Sequence, residues 1–143
     1  RLTGSFSKIR SPDAHDMLLT AALQLGRIRT SPFLADEVTR DGCVLVDRRR
    51  LWPQAELLKA LVVRGGPSVG RNLREDADIF ADQLSATYLT DAPGGFWRDA
   101  FDCHGAFTAD RIPGSSLYHL WTVIPETILI GQTSKRQLAT ALA

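Results

Sequence analysis

The chain has 143 residues, of which 44% are hydrophobic, 23% charged and 8% aromatic. This composition excludes a disordered tail, a collagen-like repeat and a disulfide-stapled mini-protein, and we expect a single domain over residues 1–143. The 17 basic and 16 acidic residues leave a net charge of +1. No overall positive field is therefore available to attract nucleic acid or an anionic membrane, and we expect neither partner.

The two cysteines, Cys43 and Cys103, are too few for a disulfide framework in a chain of this length. We interpret them as reduced thiols of a cytoplasmic protein, and a single bridge between them is the alternative. The chain starts at Arg1 without an apolar signal segment, and its only methionine is Met17. We therefore expect it to be part of a longer protein.

The first elements are a helix and a hairpin. Ser11-Pro12-Asp13 combines a capping serine with a proline suited to the first helical position. The apolar residues that follow recur at helical spacing and predict a helix near 12–27. Asp41-Gly42 lies between two short apolar segments, 33–39 and 43–46, and this pattern predicts a β-hairpin.

Two longer helices and a second hairpin follow in the prediction. One helix begins at Trp52-Pro53 and continues to about Val63, where glycines and a proline end it. The next helix is amphipathic and covers about 68–89. Segments 96–102 and 107–112, on either side of a His-Gly turn, predict another hairpin.

A fourth helix is predicted after Pro113-Gly114, with Ser115 or Ser116 as its cap. Pro125 is expected to stop or kink it, and a short last helix is predicted over 134–143. Helices joined by loops or short hairpins favour an all-α fold built from antiparallel helix pairs.

Most local motifs give no chemistry. The loop Gly65–Gly70 is rich in glycine but lacks the Lys-Ser/Thr ending and the preceding strand of a phosphate-binding loop. Cys103 and His104 have no second Cys/His pair at ligand spacing, so we expect no metal. No Gly-x-Ser-x-Gly turn is present to support a serine hydrolase.

Two stretches carry more polar and aromatic residues than a plain core needs. The second predicted helix opens with Trp52, Gln54 and Glu56, and Glu56 can pair with Lys59 at i,i+3 spacing. A surface ion pair and a core tryptophan are the structural alternative. Near the start of the fourth predicted helix lies His119. Histidine is the commonest general acid or base, although a lone histidine among apolar residues is more often a satisfied core residue.

With a third stretch, these segments resemble the N-acylglucosamine 2-epimerase superfamily, which includes a mannose-6-phosphate isomerase branch. The motifs are Arg-x-Trp-Pro-Gln-x-Glu-x-x-Lys-Ala, Gly-x-Trp-x-Asp and Pro-Ala-Ser-Thr-x-Tyr-His-Leu, the last with glycine and serine at its second and fourth positions here. The matching residues are Arg50, Trp52, Pro53, Gln54, Glu56, Lys59, Ala60, Gly95, Trp97, Asp99, the run Pro113–Leu120 and the following Glu126. The resemblance covers about 34–126, and its first and third motifs are the specific ones.

The resemblance implies an all-α fold, the C-terminal part of an (α/α)6 barrel, which is a toroid of helical hairpins, with short β-hairpin insertions. The chain resembles only the C-terminal third of such enzymes. Their active site uses two histidines in the barrel mouth, and one of them matches His119. The other lies in a Pro-Gly-His-x-x-Glu helix that residues 11–16 do not match, so we assign His15 to an exposed helix start.

The resemblance also implies proton transfer next to a carbonyl, without a metal or cofactor. His119 is then a catalytic acid or base, Trp52 forms an apolar wall for the sugar, and Lys59 is structural. The substrate-binding residues that we expect are Arg50, Trp52, Gln54, Glu56, Ser115 and Ser116. The expected ligand is a small-molecule sugar or sugar phosphate.

We favour an isomerase that interconverts mannose 6-phosphate and fructose 6-phosphate through an enediolate, because the third motif looks more like that branch. The alternative is an N-acylglucosamine 2-epimerase, and a further alternative is a non-catalytic barrel fragment or sugar-binding module. A ring of arginines and lysines around the pocket would favour the isomerase, and room for an acetamido group would favour the epimerase. We expect a homodimer or association with the missing part of the barrel.

Overall fold

The computed structural model describes residues 12–27, 31–64, 71–92, 94 and 96–123. The helices in this part of the chain are α1 (Pro12–Leu25), α2 (Leu51–Arg64), α3 (Arg71–Leu84) and α4, which covers residues 114–123. The strands are β1 (Glu37–Val38), β2 (Val44–Val46), β3 (Arg49–Arg50) and β4 (Ala100–Phe101). The described residues are mostly helical and do not close a barrel, which confirms the predicted all-α class and agrees with a partial barrel.

Helix α1 is followed by Gly26, a position where the neighbouring atoms leave no room for a side chain. The N–H of Gly26 donates to the carbonyl of Ala22 at 2.9 Å. A Cβ at Gly26 would lie 2.7 Å from that oxygen and 2.9 Å from a methyl group of Leu34. The helix that was predicted near 12–27 is therefore confirmed, with its end set two residues earlier, and the predicted cap Ser11 lies outside the described residues.

The first predicted hairpin is confirmed. Strand β1 pairs with β2 in antiparallel fashion, and an irregularity in the register separates Glu37 from Val38. Gly42 has a φ of +86°, in the region that favours glycine over residues with a side chain. The Asp-Gly pair thus supplies the turn that the sequence indicates.

The core lies between α2 and α3, with the segment before β1 packed on it. Tyr88 is fully buried, and its ring centroid lies 5.2 Å from those of both Phe33 and Phe101. Its hydroxyl donates to the carbonyl of Arg49 at 3.1 Å, and burial raises the pKa of the phenol far above its ordinary value. Tyr88 belongs to a π-helical turn (Ser85–Leu89) that continues α3, so the predicted third helix is confirmed as far as Leu89.

The second predicted hairpin is confirmed close to its turn and is shorter than the sequence predicts. A turn is present, since Gly105 has a φ of +81° and the Asp102 carboxylate accepts hydrogen bonds from the main chain just after it. A bridge joins Phe101 to Phe107, and the N–H groups of Asp102 and Thr108 donate to the carbonyls of Ala106 and Ala100, each at 3.0 Å. The sequence did not indicate that β4 also pairs with β3, immediately before α2. The N–H of Leu51 extends this second pairing by donating to the carbonyl of Asp99 at 2.8 Å.

Helix α4 confirms the fourth predicted helix but corrects its cap. Residue 114 is already helical, and the N–H of Ser116 donates to the carbonyl of Pro113 at 3.1 Å. Ser115 and Ser116 therefore lie within the first turn and do not cap it.

Several predictions concern residues that the structure does not describe. They are the glycine-rich loop 65–70, the stop at Pro125 and the last helix over 134–143. Within the described ranges, no helix is both long and apolar enough to cross a membrane. Cys43 and Cys103 are both free thiols, as the first of the two interpretations predicts.

Candidate active site

Two helices that are distant in sequence bring a histidine and a carboxylate together. Nδ1 of His119, on α4, lies 2.5 Å from Oε1 of Glu56, on α2, although the two residues are 63 positions apart. The His119 side chain is 24% exposed and that of Glu56 is 41% exposed. A carboxylate at Nδ1 favours the tautomer with its proton there, which leaves Nε2 to act as an acid or a base.

The charge of Glu56 is maintained by its neighbours. Burial raises the pKa of Glu56, but hydrogen bonds and positive charge from Lys59 and His119 outweigh that effect, so its pKa lies below the ordinary value of 4.5. The Lys59 ammonium bonds the same carboxylate oxygen and also donates to Oγ1 of Thr122 at 3.0 Å. Lys59 therefore joins α2 to α4, on the same side as the His119–Glu56 pair.

Trp52 faces this pair and is not a core residue. Its ring centroid lies 5.4 Å from that of His119, with 34° between the ring planes. The side chain is 36% exposed. The central carbon of the Arg50 guanidinium lies 5.7 Å from the centroid of the indole ring. An indole with an exposed part beside an imidazole can pack against the face of a sugar ring.

A cavity of about 400 Å³ lies between α1, the segment 34–36 and the start of α2. Its described lining consists of His15, Leu18, Leu19, Ala22, Leu34, Ala35, Asp36, Trp52, Pro53, Glu56, Leu57 and Ala60. Its volume falls in the range of small-molecule sites. Most of the lining is apolar, and it includes neither arginine nor lysine among the described residues. His15, Asp36 and Glu56 are the ionisable side chains in it.

His15 was assigned to an exposed helix start, and that assignment is wrong. The side chain is half-buried and lines the cavity together with Trp52 and Glu56. The motif around His15 gave no reason to expect this. A helical-wheel argument could have done so, because His15 is one turn before the buried Leu19 on the same face of α1.

Gln54 was expected to contact substrate, but it is fully buried and all its described partners are main-chain groups. Its Oε1 accepts from the N–H of Leu34 at 2.8 Å, and its Nε2 donates to the carbonyls of Leu34 and Arg50, each at 3.0 Å. The side chain holds the segment before β1 against α2. It presents no surface to a ligand.

Ser116 is likewise fully buried, whereas Ser115 is exposed. The Ser116 hydroxyl donates to Oδ1 of the buried Asp99 at 2.6 Å, and Nε1 of Trp97 donates to the same oxygen at 3.2 Å. This pair fixes the first turn of α4 one turn before His119. The second and third motifs therefore meet in a structural contact, although Gly95 and Glu126 lie outside the described residues.

Arg50, another expected substrate contact, forms an ion pair through its Nε. Its Nε lies 2.8 Å from Oδ2 of Asp36, and Nε of Arg48 lies at the same distance from that oxygen. In the part of the chain that the structure describes, no group of three or more His, Cys, Asp or Glu side chains could hold a metal ion. A histidine that is held at Nδ1 by a carboxylate can take up or release a proton at Nε2.

Comparison with known proteins gives one family. The family model of N-acylglucosamine 2-epimerase (GlcNAc 2-epimerase) matches residues 8–123. No curated protein and no solved structure matches the chain. The matched range contains all of the described helices, the cavity and the His119–Glu56 pair.

Proposed function

The chain belongs to the N-acylglucosamine 2-epimerase family, a family of sugar epimerases and isomerases, and on that premise we propose that it inverts the C2 configuration of an N-acylated amino sugar. The observation that carries this proposal is the His119–Glu56 pair beside the exposed indole of Trp52. A histidine held in this way can exchange a proton with a substrate that lies against the indole.

The proposed reaction starts from the open-chain aldose. The C1 carbonyl makes the C2 proton acidic, and Nε2 of a neutral histidine takes it. The C2–H bond breaks, and its electron pair passes through C2–C1 to the C1 oxygen, which gives an enolate with the acylamino group on C2. Return of a proton to the other face of C2 gives the epimer. Glu56 accepts the Nδ1 hydrogen bond of His119 and stabilises its positive charge.

Epimerisation needs a proton donor or acceptor on each face of C2. His119 supplies one, and we propose His15 for the other. His15 lies in the wall of the cavity that Trp52 and Glu56 also line, and it comes from α1 on another side of that cavity. His119 is not part of the described lining, but it contacts Trp52 and Glu56, which are, so a sugar at that edge of the cavity would lie between the two histidines.

The charges around the cavity support an uncharged amino sugar over a sugar phosphate. No arginine or lysine is found in the described lining, so no cationic side chain of the cavity wall is placed to bind a phosphate dianion. The nearby Arg48 and Arg50 are paired with Asp36. The apolar side chains of α1 in the lining suit the acyl group. Mannose 6-phosphate, which the sequence motifs favoured, is therefore the less supported substrate.

A direct comparison of substrates tests the proposal. The chain is incubated separately with N-acetylglucosamine and with mannose 6-phosphate, and the products are separated by chromatography. We expect N-acetylmannosamine from the first sugar and no fructose 6-phosphate from the second. Formation of fructose 6-phosphate alone would overturn the epimerase proposal in favour of the isomerase, and no product from either sugar would favour a binding module.

A further inference from the structure

Asp36 carries a buried charge that the proposed reaction does not use. Its carboxylate is 1% exposed, and a single oxygen, Oδ2, lies 2.8 Å from Nε of both Arg48 and Arg50. The other oxygen, Oδ1, is buried without a hydrogen-bond partner in the described part of the chain. Burial of a carboxylate is costly even when it is paired, so a role that needs the charge is indicated.

The backbone near Asp36 does not need this charge for its own position. The N–H of Asp36 already donates to the carbonyl of Arg48 at 2.8 Å. Gln54 holds the neighbouring Leu34 through both of its main-chain groups and also binds the carbonyl of Arg50. Neutral hydrogen bonds thus tie the segment to the start of α2. What the carboxylate adds is a fixed place for two guanidinium groups.

One of the two guanidinium groups lies next to the candidate site. Arg50 is seated between two residues of the cavity wall, since it pairs with Asp36 and its guanidinium lies over the ring of Trp52. Its side chain is 35% exposed. None of the described hydrogen bonds uses its Nη groups, so up to four N–H donors remain for a ligand.

We propose that Asp36 is a positioning residue, which holds Arg50 over Trp52 so that the Nη groups of Arg50 donate to oxygen atoms of the bound sugar. This inference rests on the proposed function, because it takes a polyhydroxylated ligand in the cavity as given. It differs from a structural role in one respect: Asp36 acts on substrate through Arg50 alone. Arg48 makes the same ion pair but has no contact with Trp52 among the described ring contacts, and it provides a matched control.

Steady-state kinetics with N-acetylglucosamine separate the two roles. We expect Asp36→Asn and Arg50→Gln each to raise KM by about ten- to a hundredfold, the range for losing a hydrogen bond to a charged group. We expect a smaller effect on kcat and a KM near that of the wild type for Arg48→Gln. The double variant Asp36→Asn/Arg50→Gln should be no worse than Arg50→Gln. Additive losses in the double variant, or equal losses for the two arginine variants, would overturn the proposal.

A second measurement does not depend on turnover or on the folding of the Asp36 variant. The Nε–Hε cross-peaks of the arginines are recorded by ¹⁵N NMR on the wild-type chain and assigned with Arg48→Gln and Arg50→Gln. Addition of N-acetylglucosamine should shift the Arg50 peak and leave that of Arg48 in place. A bound sugar that shifts other resonances but not Arg50 would contradict the positioning role.

Failure of the proposed function would be seen separately. If the wild-type chain neither binds nor converts N-acetylglucosamine, the epimerase proposal fails. The ion pair between Asp36 and Arg50 is then still tested, since loss of the carboxylate in Asp36→Asn should shift the Nε–Hε peak of Arg50. An Arg50 peak at the same position in the two proteins would overturn the positioning role.

Discussion

Nδ1 of His119 lies 2.5 Å from Oε1 of Glu56, and the two residues belong to helices that are separated in the chain by α3 and β4. Asp99 and Ser116 fix the helix that carries the histidine, and Lys59 fixes the carboxylate. The imidazole is therefore oriented by contacts on both sides before any substrate binds. Such preorganisation is what an acid/base residue needs.

Removal of the imidazole should abolish most of the activity. We expect His119→Gln to lower kcat for epimerisation by on the order of 10²–10⁴, the usual contribution of one general acid or base. His104→Gln is the matched control, because His104 is exposed in the turn after β4. Product formation followed by chromatography checks the difference. Wild-type turnover in His119→Gln would exclude this histidine from the chemistry.

Loss of the carboxylate should leave the histidine present but badly oriented. We expect Glu56→Gln to lower kcat by on the order of a hundredfold, because a displacement of about one ångström in a catalytic group has that effect. KM should change less than kcat. A Glu56→Gln protein with unchanged kcat and a raised KM would instead make Glu56 a substrate-binding residue.

Glu56 should also make stability depend on pH in the acid range. Its pKa in the folded chain is below the ordinary value of 4.5, so its contribution to the free energy of unfolding is fully present above pH 4.5 and is lost as the pH falls through the lowered pKa. Urea unfolding of the wild type and Glu56→Gln between pH 6 and pH 3 checks this (about 1–3 kcal/mol/M is the expected slope). The two proteins should differ at the upper pH and converge at the lower one. If the difference in the free energy of unfolding between the two proteins grew as the pH fell, the pKa of Glu56 would be raised and not lowered, and the pairing with Lys59 and His119 would be contradicted.

Gln54 should matter for stability and not for substrate affinity. Gln54→Ala leaves the N–H and carbonyl of Leu34 and the carbonyl of Arg50 without this partner. We expect a loss of about 3 kcal/mol in the free energy of unfolding, since an unpaired buried polar group costs roughly 1–3 kcal/mol. Gln24→Ala, at an exposed position of α1, is the control. Urea denaturation measures the stability of both variants. A raised KM for Gln54→Ala without loss of stability would show that Gln54 contacts the substrate after all.

His15 should be needed for exchange on one face of C2 only. In D₂O, we expect His15→Gln to retain exchange of the C2 proton from one epimer and lose it from the other, and His119→Gln to show the reverse. This asymmetry follows from two bases that serve opposite faces. Proton NMR of each epimer, incubated separately, gives the rates. Equal rates for His15→Gln and the wild type with both epimers would remove His15 from the mechanism.

Local patterns predicted the helices well and the contacts between distant segments poorly. The Trp52-Pro53 start and the apolar period gave α2 to within a residue or two, because both are properties of a single segment. The pairing of β3 with β4 joins segments about 50 residues apart, and no turn motif connects them. A two-residue strand also has too little pattern of its own to be recognised.

In the candidate site, too, the sequence predicted individual residues but not the contacts between them. Trp52, Glu56 and His119 were singled out by residue type and motif, but no sequence pattern indicates how far apart they lie in the fold. Gln54 and Ser116 belong to the same motifs, but both side chains are fully buried. Their burial shows that they hold parts of the fold together and do not contact substrate. The motifs of the family therefore contain both structural residues and candidate functional residues. Only the contacts in the fold show which residue is of which kind.

The central claim is that histidine moves the C2 proton of an N-acylated amino sugar. Proton NMR of N-acetylglucosamine in D₂O, with the 143-residue chain or the longest native polypeptide that contains it, tests the claim most directly. We predict that deuterium enters C2 and that N-acetylmannosamine labelled at C2 accumulates. Epimerisation without deuterium at C2 would contradict proton transfer to an exchangeable base, and an unchanged spectrum beside deuterium incorporation into mannose 6-phosphate would assign the site to the isomerase reaction.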